Sequence, residues 1–342
     1  MAHGRTGVLL LNLGTPRSPR PRDVRRYLRE FLSDPRVIDL PAVPRWLLVQ
    51  LVIAPFRPRR ASAAYEKIWG PEGSPLRVHG RALCAGVEKQ LGEGYSVALA
   101  MRYGEPSIPS ALEQLVTADV DRILALPLFP QWAESSTGSA LARLEAAAQA
   151  LPHAPPVESL PAFFDDPGFL AAFAEVARPV LAESGPDHVL FSYHGLPERQ
   201  IRAADPSGSH CLSHDACCAN PGGSLSRCYR AQCHATSAGL ARALGLGPAE
   251  HSTSFQSRLG RTPWIRPYTD HVLPELAARG VRRLAVLCPS FVADCLETLE
   301  EIGIRGRDQW QGLGGERLML VPCPNAHPRW IEAVAAMVRR SA

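Results

Sequence analysis

Three groups of side chains in this 342-residue chain have the types and spacing to do chemistry. The first is a run of cysteines, Cys211, Cys217, Cys218, Cys228 and Cys233, spaced C-x5-C-C-x9-C-x4-C. Thiolates are soft ligands, and four of them close either a tetrahedral zinc site or a 2Fe-2S cluster. Zinc ribbons favour C-x2-C pairs, which are absent here. A C-x4-C pair occurs in some iron–sulfur sets, so the spacing leans to iron–sulfur and leaves zinc, or five reduced thiols, open. Five cysteines compete for four places, which makes one of the vicinal pair Cys217/Cys218 surplus; His210 and His214 are lesser donors. The second group is His194, within Phe-Ser-Tyr-His-Gly-Leu-Pro at residues 191–197. An imidazole at a strand end before a turn is placed for proton transfer or metal contact, although a lone histidine is more often structural. The third is the acidic run Asp294, Glu297, Glu300 and Glu301. On an α-helix Glu297 and Glu301 share a face, with Asp294 beside them. Such a face is either solvated or a carboxylate ladder that conducts a hard cation or protons.

These groups need elements to position them. Apolar runs at residues 6–13, 96–102, 122–128, 188–192, 282–287 and 317–321 read as strands, several apolar throughout, as parallel strands covered on both faces are. Amphipathic stretches at 21–31, 75–91, 107–116, 139–150, 167–183, 231–244, 268–279 and 328–340 read as helices between and after them. The rhythm predicts an α/β chain with two parallel sheets, in domains 1–180 and 181–325, with helix 326–342 returning to the first. No internal repeat is visible between residues, and no glycine-rich dinucleotide loop follows the first strand. Residues 203–233 form a Cys-rich insertion without periodicity, a length that needs a reason in a compact domain; metal bonds would replace its missing core.

Composition narrows the function classes. Apolar residues make up 46%, and Lys and Arg exceed Asp and Glu by 37 to 33, giving a net charge of +4. That rules out wholesale disorder and falls well short of a nucleic-acid-binding profile. No apolar run reaches the roughly 18 residues of a membrane span. The N-terminal residues lack a secretory pattern, which predicts a cytoplasmic chain and argues against a disulfide framework. One segment departs from this soluble character. Residues 41–56, PAVPRWLLVQLVIAPF, lead into Arg57, Arg59 and Arg60. This is either a buried helix or an apolar lip for a membrane surface or an amphiphilic ligand.

Taken in order, several segments resemble ferrochelatase, the enzyme that inserts ferrous iron into a porphyrin. They are LLLNLGTP (9–16), the lip ending at Arg60, AYEKIWGPEGSPL (64–76), AMRYGEPSI (100–108), FPQWAESSTGSA (129–140), FSYHGLPERQ (191–200), CYRAQC (228–233), FQSRLGRTPWIRP (255–267) and PSFVADCLETLEEI (289–302). The resemblance implies two Rossmann-like domains with an active-site cleft between them. It implies Fe2+ and protoporphyrin IX as substrates, with coproporphyrin III as the alternative porphyrin. A non-catalytic haem or iron–sulfur sensor on the same scaffold is the alternative of another class.

Carried over residue by residue, His194 matches the family's active-site histidine, Glu297 the glutamate facing it, and Glu301 the next carboxylate. His194 and Glu297 then become contacts for the substrate iron. Asn12, Tyr65, Arg102, Tyr103, Trp264 and Phe291 match porphyrin-cleft positions. Cys295 stands where some members carry a histidine. Animal members hold a 2Fe-2S cluster with cysteines near the C-terminus and one in the loop matching residues 131–135; here that loop has Glu134 and no cysteine. The internal cysteines resemble the separate cluster type of some bacterial members. The resemblance therefore implies a 2Fe-2S cluster on four of the five, and a cytoplasmic enzyme peripheral to the inner membrane through its lip.

Overall fold

Ten consecutive residues, Thr6–Thr15 (β1), are buried along almost their whole length, as a strand covered on both faces must be. In the computed structural model, which describes residues 4–260 and 262–342, β1 sits inside a parallel sheet of order β2-β1-β3-β4. Its neighbours are β2 (Tyr95–Gly104), β3 (Arg122–Pro127) and the short β4 (Val157–Ser159). The chain divides into two units. Unit 1 is Met1–Phe129, Glu134–Ala162 and Ile331–Ala342; unit 2 is Pro130–Ala133 and Phe163–Trp330.

In unit 1 the crossovers are α1 (Pro21–Leu32), α2 (Ala42–Leu47), a π-helical stretch Leu48–Ile53, α3 (Ala54–Ile68), α4 (Pro75–Leu91) and α5 (Ile108–Thr117). A second π-helical turn, Glu134–Gly138, leads into α6 (Ser139–Ala150). Leu9, Leu11, Ile108, Leu112, Leu115, Ile123 and Leu144 close one core between sheet and helices. The carboxyl ends of β1 and β2 approach closely at Gly14. A Cβ there would stand 1.8 Å from the Tyr103 carbonyl oxygen, and its φ of +120° suits only glycine.

Unit 2 repeats the plan. Helix α7 (Pro167–Ser184) starts on the Asp166 carboxylate, which accepts from the N–H groups of Gly168 and Phe169, and stops at left-handed Gly185. The sheet, of order β6-β5-β7-β8, contains β5 (His188–His194), β6 (His251–Gln256), β7 (Arg283–Leu287) and β8 (Arg317–Leu320). Its helices are α8 (Glu198–Ala203), α9 (Tyr229–Leu244), α10 (Thr269–Ala278), a π-helix Glu297–Gly306 and α11 (Arg307–Gly312); α12 (Pro328–Ser341) starts here, and from Ile331 on it belongs to unit 1. Trp310, fully buried, anchors a core with Leu190, Leu273, Leu284 and Val286.

Two expectations on layout shift. The boundary falls at residues 162/163, ahead of the predicted 180/181. The rings of Phe163, Phe169, Phe173 and Trp330 pack together at 5.3–5.9 Å, edge to face except for the tilted Phe163–Trp330 pair, which ties α7 to unit 2. Strands β4 and β6 had no sequence signal. Both are edge strands, so His251–Gln256 can be polar and Val157–Ser159 short.

Candidate active site

The last residue of β5 is His194, and its surroundings decide which ring nitrogen is available. Its Nδ1 lies 2.7 Å from the Gly195 carbonyl oxygen. A carbonyl only accepts, so in the neutral ring Nδ1 carries the hydrogen and Nε2 keeps its lone pair. That tautomer leaves Nε2 as a base or metal contact. The main chain is fixed around it: the His194 N–H donates to Ser290 Oγ at 3.0 Å, and the Gly195 N–H donates to the Gln256 carbonyl at 2.8 Å. Two aromatic rings flank the imidazole, Trp264 with centroids 6.5 Å apart and Phe291 at 6.3 Å. Gly195 makes room for Trp264, since a Cβ there would meet the Gln256 carbonyl oxygen at 2.9 Å and the indole at 3.3 Å.

The acidic run is not an α-helix. It opens the π-helix Glu297–Gly306, a wider i→i+5 coil of the kind found at functional sites. Burial pushes the Glu301 carboxyl above its ordinary range, and the nearby Glu297 charge adds to this; hydrogen bonds from Ser257, then the Arg305 and His194 charges, pull the other way. The imidazole and both carboxylates thus share one electrostatic neighbourhood. Ser257 gives Glu301 both its N–H, at 2.9 Å, and its hydroxyl, at 2.6 Å. It does so from a left-handed φ of +66°, an uncommon conformation for serine. Gln256 donates from its side chain to the Glu297 carbonyl at 2.8 Å and accepts from Ser192 Oγ at 2.7 Å. It therefore links the strand of the base to the helix of the acids.

Asp294 corrects the sequence reading of a third carboxylate on this face. It precedes the helix and is buried, taking hydrogen bonds from Asn325 Nδ2 at 2.7 Å, Thr298 Oγ1 at 3.1 Å and the Cys323 N–H at 3.3 Å. Glu300 is also inward and paired with Arg305 at 2.8 Å. Cys295, beside Glu297, has its thiol pushed well above the usual range, first by burial and then by that carboxylate.

The other positions that the sequence marked for the porphyrin, Asn12, Tyr65, Arg102 and Tyr103, belong to unit 1. Arg102 and Tyr103 are committed to one buried cluster. Arg102 donates to Asp34 Oδ2 at 2.5 Å and Ser139 Oγ at 2.7 Å, and Tyr103 donates to Asp34 Oδ2 at 2.9 Å. Burial raises the Asp34 carboxyl, but hydrogen bonds from Ser139, the Arg36 N–H and Tyr103, with the Arg102 charge, outweigh it and hold it below its usual range. Tyr65 is buried against the edge of Trp69, ring centroids 6.0 Å apart. Asn12 Oδ1 accepts from the Leu13 N–H at 2.8 Å. The lip segment is open: Val43, Trp46, Leu51, Val52 and Phe56 are more than half exposed, Phe56 at 76%.

Among the cysteines, the Cys228 thiol interacts with those of Cys218 and Cys211, and Cys217 Sγ stands 3.9 Å from Cys218 Sγ. Arg230 points its guanidinium at both members of the vicinal pair, at 3.7 and 3.4 Å. Hydrogen bonds from Cys218, then from the Ala231 N–H and Cys211, lower the Cys228 thiol to about 6 against its burial. Cys233 is apart, on α9, fully buried and bonded to Tyr229. Among the described residues no three His, Cys, Asp or Glu side chains stand at closed metal-ligating geometry. The thiols adjoin pairwise.

Sequence reasoning missed Asp34, Tyr229, Gln256, Ser257 and Ser290. Gln256 and Ser257 lie in the segment 255–267, whose Arg261 is outside the described residues. Asp34 follows a helix without any pattern around it.

Residues 5–342 match the family model for ferrochelatase. A ferrochelatase of Coxiella burnetii is 48% identical over 340 residues, covering 99% of this chain and 94% of that relative. One from Legionella pneumophila is 47% identical over 334 residues, covering 98% of each. Among solved structures, SirB from Bacillus subtilis with Fe3+ superposes with a TM-score of 0.55 at 13% identity, over 99% of this chain and 96% of that one, a likeness of fold.

Proposed function

The chain belongs to the ferrochelatase family, and from that premise we propose that it inserts Fe2+ into protoporphyrin IX in haem biosynthesis. The observation that carries the site assignment is the His194 tautomer, with Nδ1 spent on Gly195 and Nε2 left over within electrostatic reach of Glu301, whose carboxyl burial raises. As Fe2+ enters, two pyrrole N–H protons must leave. His194 Nε2 accepts one. Glu301, which holds a proton more readily than an ordinary carboxylate, accepts the other by way of Glu297. Glu297 also offers oxygen to the incoming iron. Trp264 and Phe291 give the macrocycle apolar faces on either side of the base.

Protoporphyrin carries two carboxylates and two apolar vinyl groups, and the open apolar lip supports it over a tetracarboxylate. The same lip supports docking on an anionic membrane. Between residues 17 and 81 there are fourteen Lys and Arg against six Asp and Glu, while among the described residues no helix is long and apolar enough to cross a bilayer. The Cys-rich segment fits a 2Fe-2S cluster in donor chemistry, held by Cys211, Cys217, Cys218 and Cys228; Cys233, buried apart on α9, is then the surplus thiol in place of the member of the vicinal pair expected from the sequence. Such a cluster supplies a covalent cross-link between loops, and metallation changes no oxidation state.

The test is anaerobic Fe2+ insertion with protoporphyrin and coproporphyrin side by side. Burying two further carboxylates should cost coproporphyrin about tenfold or more in kcat/KM. Equal or better turnover of coproporphyrin overturns the substrate. Absence of insertion with both overturns the activity. A red-brown protein that bleaches in Cys228→Ser supports the cluster, and a colourless zinc-containing one refutes it.

A further inference from the structure

We infer that Tyr229 is a positioning residue for His194, and that the Cys-rich segment acts on metallation through it. The His194 peptide is held at both ends by side chains. Ser290 Oγ takes its N–H, and the Tyr229 hydroxyl donates to its carbonyl at 2.8 Å. Tyr229 is buried, and it is the first residue of α9. That helix has no side-chain cap on Cys228, its N-cap residue, so its start is fixed by what precedes it. The Cys228 N–H donates to the Ser224 carbonyl at 2.7 Å. Ser224 Oγ donates to Asp205 Oδ1 at 3.0 Å, and Asp205 Oδ2 accepts from the N–H groups of His210 and Cys211 at 2.8 and 2.7 Å. A continuous chain of bonds therefore runs from the irregular segment to the peptide that orients the imidazole. The segment is a clamp on the base, and this gives it a part in the reaction that needs no electron transfer.

The functional arm of this inference rests on the reading of His194 as the base; the structural arm does not. In the full-length protein, Tyr229→Phe removes only the hydroxyl and leaves a buried carbonyl unpaired, so kcat should fall about tenfold with KM within about twofold. Exchange of the His194 and Gly195 amides should quicken by a similar factor. Tyr193→Phe is the control: its hydroxyl is as buried but pairs with Ser237 Oγ at 2.9 Å, and it should move neither readout. Asp205→Ala loosens the segment without touching a thiol. It should reproduce the loss, and the double variant should be no slower than the worse single one. Unchanged exchange in Tyr229→Phe, equal losses in Tyr193→Phe, or multiplying losses in the double variant would overturn the clamp. Faster exchange with kcat unchanged would overturn the clamp's part in metallation and leave only the bond, while His194→Ala reads the base on its own.

Discussion

The two sheets share one plan: the first strand is flanked by the second and third, with the fourth beyond the third. Yet their carboxyl ends finish in opposite ways. In unit 1 the polar groups after β1 and β2 close on one another. Arg102, Tyr103 and Ser139 all donate to Asp34, whose side chain is 3% exposed. In unit 2 the groups after β5 and β7 are arranged so that something is left over. Among the described residues Nε2 of His194 has no hydrogen-bond partner, and Glu301 is held where a proton is easily kept. One topology thus supports a satisfied end that holds shape and an end with unspent groups, the one proposed for the chemistry.

Substitutions at the two ends should therefore fail differently. His194→Ala should lower iron insertion about a thousandfold, the upper part of what a general base contributes, with the melting temperature nearly unchanged. Asp34→Ala should do the reverse. Leaving Arg102 buried without its partner should cost about 3–5 kcal/mol of stability, read by denaturant unfolding, while the protein that remains folded keeps most of its turnover. If Asp34→Ala abolished insertion without loss of stability, the contrast between the ends would be lost.

Glu301 sharpens the contrast through pH. Its folded pKa is raised, so the native state binds the proton more tightly than the unfolded chain. The wild type should lose stability as pH climbs from about 4.5 through that raised value, whereas Glu301→Gln should show no such slope. Insertion by the wild type should decline as pH falls through the same value, and the variant should be slower by about tenfold to a hundredfold at neutral pH.

The smallest effect belongs to the opposite, amino end of the central strands of the same sheet. Asp187 accepts from the N–H groups of Arg282 and Arg283 and pairs with the Arg283 side chain, which lowers its carboxyl to about 2. That contribution is fully present above the unfolded value of about 4 and disappears as pH falls toward 2. Since the carboxylate is one third exposed, Asp187→Ala should cost only about 1 kcal/mol at neutral pH, measured by thermal unfolding.

How much of this could be read in the chain itself follows from where apolar signals exist. The buried central strands and the helices Pro75–Leu91 and Ser139–Ala150 announce themselves by period and composition. The edge strand His251–Gln256 does not, because one side of it meets solvent and its residues are polar. His194, Glu297 and Glu301 stood out by type and position. The π-helical winding that carries the two glutamates did not, since an i→i+5 coil has no residue signature separate from an α-helix. Asp34 was invisible because its partners come from residues 102, 103 and 139, and only folding brings them together. The near identity of the two sheet plans was equally hidden: topology repeats where residues do not.

Unit 1 is completed by Ile331–Ala342, after the whole of unit 2 has been spelled out. On a ribosome, which releases the chain from its N-terminus, the second sheet can mature while the first still lacks its closing helix. The half that begins first is thus the half that finishes last, and its exposed hydrophobic surface must be sheltered for the length of an entire intervening unit.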